Sequence, residues 1–479
     1  MRISGAIRRL WPLLVLAGAA FFVITIFYLA ARVLRPDMGA APTEWNAGEV
    51  AEAERRRDVS FDHDKLPVVT VEVDYEAGQN APWRPRGESP MLAELVEEGR
   101  LPPVGERVGR EPLVMRGVEG IGTYGGTWFR AASSMNDVDI IRWRMAGATL
   151  VRWSPLGYPI RPHLARDFEI SDDYREFTFY LRKDVRWSDG HPLTADDAMF
   201  SIEKDQIQLG GQPPAWLRAG ASFGRVEKVD DFTIRFSFDR PNALFLEELC
   251  SAHEWIRPKH YLEPYHPIDG DQELIRKMMD TLQLGSPRAL YTRMKHTMNV
   301  EHPRLWPWIY RTHTANPPYG FVRNPYFWAV DEAGNQLPYI DRILFDVKQK
   351  DLIGLDASQG RLTFQIRNIH YKDYTLFMSE REANGYEVYH WFPATRSLYT
   401  IYPNLNRRID PGRPETRLKH DLLNEKAFRQ ALSLAMDRQA IIDSEYNGQG
   451  EPAQLDPGPE SPFHHPPLFK SFIDFDPDR

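Results

Sequence analysis

Two stretches of the chain alternate apolar and polar residues with the period of a half-buried strand. Phe177, Phe179 and Leu181 share one face while Thr178, Tyr180 and Arg182 share the other. Behind an Asp230-Asp231 turn, Phe232, Ile234, Phe236 and Phe238 alternate with Thr233, Arg235 and Ser237. A Gly125-Gly126 turn leads into a further strand from Thr127, and Val69, Val71 and Val73 suggest a short one upstream. Helical spacing begins after Thr194, whose hydroxyl can cap while Asp197 completes a capping box, and it carries Met199 and Ile202 inward to about Gln206. A second helix is expected from Glu425 to Met436 with Phe428, Ala431, Leu432 and Ala435 inward, and Asp437 caps a third that stops at Asn447-Gly448. Irregular alternation of strands and helices predicts a mixed α/β (α+β) chain containing both kinds of sheet.

The longest apolar run stands apart from these periods. Leu10 to Ala31 carries no formal charge over 22 residues, enough as a helix to span a hydrocarbon core of about 30 Å. Arg2, Arg8 and Arg9 precede it and Arg32 and Arg35 follow it, a bias that places the N-terminus inside and the body outside. The run is expected as a transmembrane anchor of the cytoplasmic membrane, with a cleaved signal as the alternative. Residues 1–35 are therefore anchor or signal. Residues 36–110 read as a tether and approach segment punctuated by Pro82, Pro85, Pro90, Pro102 and Pro103, with the folded body opening near Gly122.

Composition narrows the function classes. Hydrophobic residues at 42% and charged residues at 26% are ordinary for a globular chain and exclude wholesale disorder. Without residues 1–35 the balance is 54 basic against 67 acidic, a net of −13, so a nucleic-acid partner is not expected. The single cysteine, Cys250, forbids an intramolecular disulfide, and no metal or other cofactor motif is present. The G-x-S-x-G match at Gly220 to Gly224 lacks the strand-to-helix setting of a nucleophile elbow, and in the His253-Glu254 stretch Arg257 stands where a zinc site needs its second histidine. His464-His465, between prolines, reads as a solvated loop. The chain is not expected to be an enzyme.

The order of several motifs resembles the family 5 extracellular solute-binding proteins, the oligopeptide, dipeptide and nickel receptors of ABC importers. The residues that carry it run from Pro162, His163, Leu164 and Ala165 through Phe168 to Asp173 and Phe177 to Lys183, then Trp187-Ser188-Asp189-Gly190 and Pro192 to Asp197. Val226 to Thr233, Arg323-Asn324-Pro325-Tyr326-Phe327-Trp328, Phe428 to Leu432 and Ala435 to Arg438 follow in family order. Pro90 to Leu95, Leu101 to Val104, Val330-Asp331 and Gly334 to Asp341 are similar to a longer branch that takes up oligopeptides or oligosaccharides. Physically, Asp172-Asp173, Trp187 to Gly190 and Arg323 to Tyr326 read as turns between elements rather than as chemistry.

The resemblance implies a two-lobed periplasmic-binding-protein fold (type II-like, cluster C) that closes on its solute, with a first lobe over 111–350 and the start of a second over 351–479. It implies a substrate-binding component that captures oligopeptides or oligosaccharides in the periplasm and passes them to an ABC permease with its ATPase subunit. Trp391, Tyr399, Tyr402, Asn404 and Asn406 resemble the strand and Asn-rich turn lining the family's cleft, where rings can stack on peptide planes or sugars and amides can hydrogen-bond. The alternative is that Tyr399 and Tyr402 pack in a lobe core. By resemblance the C-terminal part that completes both lobes is missing, which would leave the strand Phe232 to Phe238 and the helix at Phe428 with open apolar surface. Two competing readings are a membrane-anchored receptor-like scaffold or truncated fragment without transport, and, on Ser222 alone, a hydrolase.

Overall fold

The structure is a computed structural model that describes residues 69–478, apart from 79, 118–119, 139–143, 145–146, 156, 253, 313–317, 391–398, 459–460 and 462, together with Val23 and Thr25. Except for those last two residues, the run Leu10 to Ala31 lies outside the described residues. No described helix is long and apolar enough to cross a membrane. The described residues from 69 to 388 and from 399 to 478 form one compact unit.

From residue 69 onward the stretch expected as a tether is folded. Helices α1 (Pro90–Glu97) and α2 (Val104–Val108) lead into strand β1 (Leu113–Met115). Val71 N donates to Val114 O at 2.9 Å and Arg116 N to Val69 O at 2.9 Å, so the valine-rich stretch makes a bridge rather than a full strand. Trp83, Val104, Val108 and Val114 bury together with Val330, and Val71 and Val73 pack on them. Trp83, Val104 and Val330 come from separate segments and meet only through tertiary structure, which is why the sequence pattern concealed this cluster.

Strand β2 (Thr127–Ala132) leaves the Gly125-Gly126 turn, whose φ values of 117° and 79° only glycine adopts freely. The short helix α3 (Met135–Val138) follows. A hairpin of β3 (Val151–Ser154) and β4 (Gly157–Pro162) precedes β5 (Ala165–Ile170) and β6 (Glu176–Leu181). Helix α4 (Ala195–Met199) starts at the expected capping box, with Thr194 N donating to Asp197 Oδ2 at 3.1 Å, and runs on as a π-helix over Phe200–Leu209. A hairpin of β7 (Arg218–Ala219) and β8 (Ser222–Phe223) comes next, then β9 (Arg225–Asp230), β10 (Thr233–Ser237) and α5 (Phe245–Ser251).

Next come α6 (Gln272–Leu282), α7 (Pro287–Met294), β11 (Trp308–Tyr310), β12 (Tyr319–Arg323), β13 (Ala329–Asp331) and β14 (Arg342–Val347). Beyond it come α8 (Lys350–Ser358), α9 (Tyr374–Asn384), α10 (Pro414–Asn424), α11 (Lys426–Leu434) and α12 (Arg438–Tyr446).

One antiparallel sheet has the order β5-β6-β10-β9, and its register sets Ile234 opposite Phe179 and Phe236 opposite Phe177. These four side chains and Phe245 are at most 1% exposed. Each such burial contributes about 1.5–3 kcal/mol. The strand Phe232 to Phe238 is therefore covered by α5 and its neighbours, not left open as the family comparison implied. A second, mixed sheet has the order β11-β12-β14-β2, with β14 parallel to β2 and a core of Phe321, Ile343 and Phe345. Both sheet types are present, as expected for this mixed α/β chain.

Helix α11 departs from its expected face. It buries Leu434 at 5% exposure, whereas Leu432 is 42% exposed and Ala431 and Ala435 are exposed too. Nothing among the described residues covers that stripe. Asp437 does cap α12, accepting from Ala440 N at 2.9 Å, and Asn447 ends it in the left-handed conformation.

Candidate ligand-binding site

Strand β2 is the element around which the candidate site is built. β14 pairs one edge, and the irregular residues 363–368 lie along the other. Phe129 N donates to Thr363 Oγ1 at 3.2 Å and Thr363 N returns to Phe129 O at 3.0 Å. Farther along, Gln365 accepts from Ala131 N at 3.2 Å and donates to Ala131 O at 3.1 Å. A side-chain amide thus satisfies the strand as a backbone peptide would.

At the end of β2, Asp137 of α3 fixes this arrangement. Its carboxylate accepts from Ser133 N at 2.9 Å, from the Ser133 hydroxyl, from Arg367 Nε at 2.5 Å and from Asn368 Nδ2 at 3.0 Å. Burial by itself would raise its pKa, yet the bonds from Ser133, Arg367 and Asn368 together hold it well below the usual carboxylate range. The chain that continues after β14 is thereby tied back to β2.

Beside this sheet lies a cavity of about 360 Å³, walled by Trp128, Leu305, Trp308, Phe327, Trp328 and Tyr339. Trp128 stacks on Trp308 at 5.6 Å between ring centroids and on Phe364 at 5.9 Å. Two polar side chains also line it, Arg152 of β3 and His163. Burial pushes the His163 pKa down to about 3, so the ring is neutral. Its Nδ1 lies 3.1 Å from Thr149 O, a carbonyl that can only accept, which puts the proton on Nδ1 and leaves Nε2 an acceptor. A cavity of this size with an apolar wall and few polar groups has the general form of a small-ligand site.

The residues expected from sequence are arranged differently. Trp391 lies outside the described residues. Tyr399 and Tyr402 are 63% and 73% exposed, so they do not pack in a lobe core. Asn404 and Asn406 are exposed on the same irregular stretch, where Asn404 Oδ1 accepts from Asn406 N at 3.1 Å and closes a turn. None of the four lines the cavity. The cavity residues escaped sequence reading because they come from segments far apart in the chain. The Leu305-Trp306-Pro307-Trp308 cluster of aromatics around a proline was the one local signal available.

Other candidates resolve into scaffold. Ser222 sits on the β7–β8 hairpin and donates to Ala219 O at 3.3 Å, with no strand-to-helix elbow around it. Arg323 and Asn324 are buried, and Asn324 Oδ1 accepts from Tyr326 N at 2.9 Å, so that motif is the expected turn. His464 is not in a solvated loop: it is half-buried, bonded to the buried Asp456, which also accepts from His465 N at 3.1 Å. The pair looked loose in sequence because its partner acid is a tertiary neighbour. His253 lies outside the described residues.

Comparisons with known proteins bear on this arrangement. A family model described as bacterial extracellular solute-binding proteins, family 5 middle, matches residues 159–479. Among solved structures, the oligopeptide-binding protein OppA superposes with a TM-score of 0.66 at 35% identity, over 82% of this chain and 62% of that one. The periplasmic binding protein MelB of Agrobacterium fabrum C58, in complex with stachyose, gives 0.56 at 21% identity over 82% and 60%, a likeness of fold alone. A periplasmic alpha-galactoside-binding protein of Rhizobium meliloti is 25% identical over 394 residues, 75% of this chain and 53% of the relative. Di/tripeptide-binding protein 1 of Pseudomonas aeruginosa is 22% identical over 314 residues, 62% of this chain and 49% of the relative. The chain thus spans about half the length of these curated relatives.

Proposed function

We propose, from the premise that this chain belongs to family 5 of the bacterial extracellular solute-binding proteins, that it is the substrate-binding component of an ABC-type importer. In this reading it captures oligopeptides, or oligosaccharides, outside the cytoplasmic membrane and delivers them to a permease driven by an ATPase. No bond is made or broken. The observation that carries the reading is the 35% identity to an oligopeptide-binding protein over 82% of the chain, at a TM-score of 0.66. Residues 111–350 form the first lobe and 351–479 contribute to the second, with the β2 edge and residues 363–368 at the passage between them. Ligand contacts stabilise closure of one lobe on the other. Trp391, Tyr399, Tyr402, Asn404 and Asn406 face the solute from the second lobe, and the exposed rings of Tyr399 and Tyr402 and amides of Asn404 and Asn406 suit that role. Leu10 to Ala31 anchors the protein, which keeps it near its permease and raises their effective concentration.

Two measurements test this together. Cells lacking the gene should lose uptake of a labelled tripeptide or of stachyose, and the purified full chain should retain the same solute in equilibrium dialysis. Unchanged uptake, with no retention of any peptide or oligosaccharide, would overturn the proposal.

A further inference from the structure

The cavity beside β2 is lined by one arginine, Arg152, whose side chain also reaches solvent. The buried arginines Arg107, Arg182 and Arg323 of this region each have protein partners. Arg107 donates to Pro102 O at 2.8 Å and to Gln336 Oε1 at 3.0 Å, and it pairs with Glu88. Arg182 donates to His163 O at 2.6 Å and to Pro112 O at 3.0 Å. Arg323 pairs with Asp341 at 2.8 Å. Arg152 has no ion pair or hydrogen bond of its side chain among the described residues, although it lines an apolar cavity. Glu247, on the α5 helix that packs against β3, is engaged by the Tyr158 hydroxyl at 2.8 Å instead. Burial lowers the pKa of Arg152, so its surroundings oppose the charge without neutralising it. Its side chain nevertheless reaches solvent, where a solute can meet it.

We propose that the cavity walled by Trp128, Trp308 and Tyr339 holds a bulky apolar group of the solute, whose carboxylate is bound by Arg152. This rests on the solute-binding reading above and assigns the substrate class within it. The guanidinium presents a fork of donors that matches a carboxylate with two parallel hydrogen bonds. The neutral His163 supplies an acceptor for a neighbouring N–H. A volume of about 360 Å³ lies at the small end of ligand pockets, so it takes one residue of a longer chain rather than a whole oligomer. A neutral sugar ring would bring several hydroxyls needing partners, and this wall offers few. The substrate class is therefore an acidic or free-acid oligopeptide with an apolar or aromatic residue, in preference to a neutral oligosaccharide. The carboxylate can belong to the C-terminus or to an acidic side chain.

The test is calorimetric titration of the full chain, in detergent micelles, with four probes. These are a phenylalanine-ended tripeptide with a free carboxylate, the same tripeptide amidated, an amidated tripeptide carrying glutamate, and stachyose. The free acid should bind roughly 10- to 100-fold more tightly than its plain amide, the difference expected for charge-assisted hydrogen bonds. Arg152→Gln should erase that difference while leaving the circular dichroism and melting temperature in place, and Arg152→Lys should restore part of it. Should the glutamate-bearing amide bind instead, with the same dependence on Arg152, the proposal holds and the carboxylate is the side chain's. Equal binding of free acid and both amides, unchanged in Arg152→Gln, or preference for stachyose, would overturn this inference and leave solute binding intact. Failure of every probe to bind would count against both.

Discussion

Replacing Asp137 by alanine removes the acceptor that ties residues 363–368 to β2. The carboxylate holds the Ser133 amide and hydroxyl, Arg367 Nε at 2.5 Å and Asn368 Nδ2 at 3.0 Å. A hydrogen bond to a charged group contributes about 1.5–3 kcal/mol, but bonds sharing one carboxylate near the surface are not additive. Loss of the set is expected to lower the local opening energy by about 2–3 kcal/mol, or roughly 30- to 150-fold in the opening equilibrium. Hydrogen–deuterium exchange reads this directly. The amides of Phe129, Ala131 and Thr363, which make the bonds along this edge, should exchange faster by that factor. Amides of β6 and β10 in the other sheet should hardly change. Asp137→Asn, which keeps an acceptor oxygen but not the charge, should fall between. An acceleration under about threefold at Phe129 and Thr363, or an equal acceleration in β6, would show that Asp137 is not the local clamp. The sign with pH follows from the depressed pKa. The clamp is fully present above the unfolded aspartate value near 3.9 and is lost as pH falls through the lower folded value.

Other consequences are open to simpler measurements. Glu88→Gln removes the carboxylate facing the fully buried Arg107 and should cost about 3 kcal/mol in denaturant unfolding, because a buried charge loses its counter-ion. His163 is held neutral with its pKa near 3, while an unfolded histidine takes up a proton below about 6.5. Stability should therefore fall by up to about 1.4 kcal/mol per pH unit as pH drops from 6.5 toward 4, and His163→Gln should flatten that slope. Asp437→Ala removes the α12 cap at Ala440 and should cost about 1 kcal/mol without changing solute affinity.

Local rules carried the strands, caps and turns of this chain because their determinants are neighbours in sequence. The alternation at Phe177 to Leu181 and at Ile234 to Phe238, the Thr194–Asp197 box and the Asp437 cap all reappear in the structure. Two kinds of feature were not legible. One is burial made by distant partners, as where Trp83 and Val104 meet Val330. The other is the face of α11, whose periodicity marks Leu432 as inward although it stands 42% exposed. Amphipathic spacing says that a face wants cover, not what covers it. The cavity belongs to the first kind. Trp128, Arg152, His163 and Trp308 lie on four separate segments, and only the folded sheets bring them to one wall.

Solute capture is most directly tested by measuring the heat of binding of the purified full chain against short peptides and oligosaccharides over several temperatures. The account predicts a saturable isotherm with one solute per chain and a negative heat-capacity change, as apolar surface in the cavity and on the exposed tyrosines leaves water. Peptide and oligosaccharide titrations that give only heats of dilution at every temperature would contradict it.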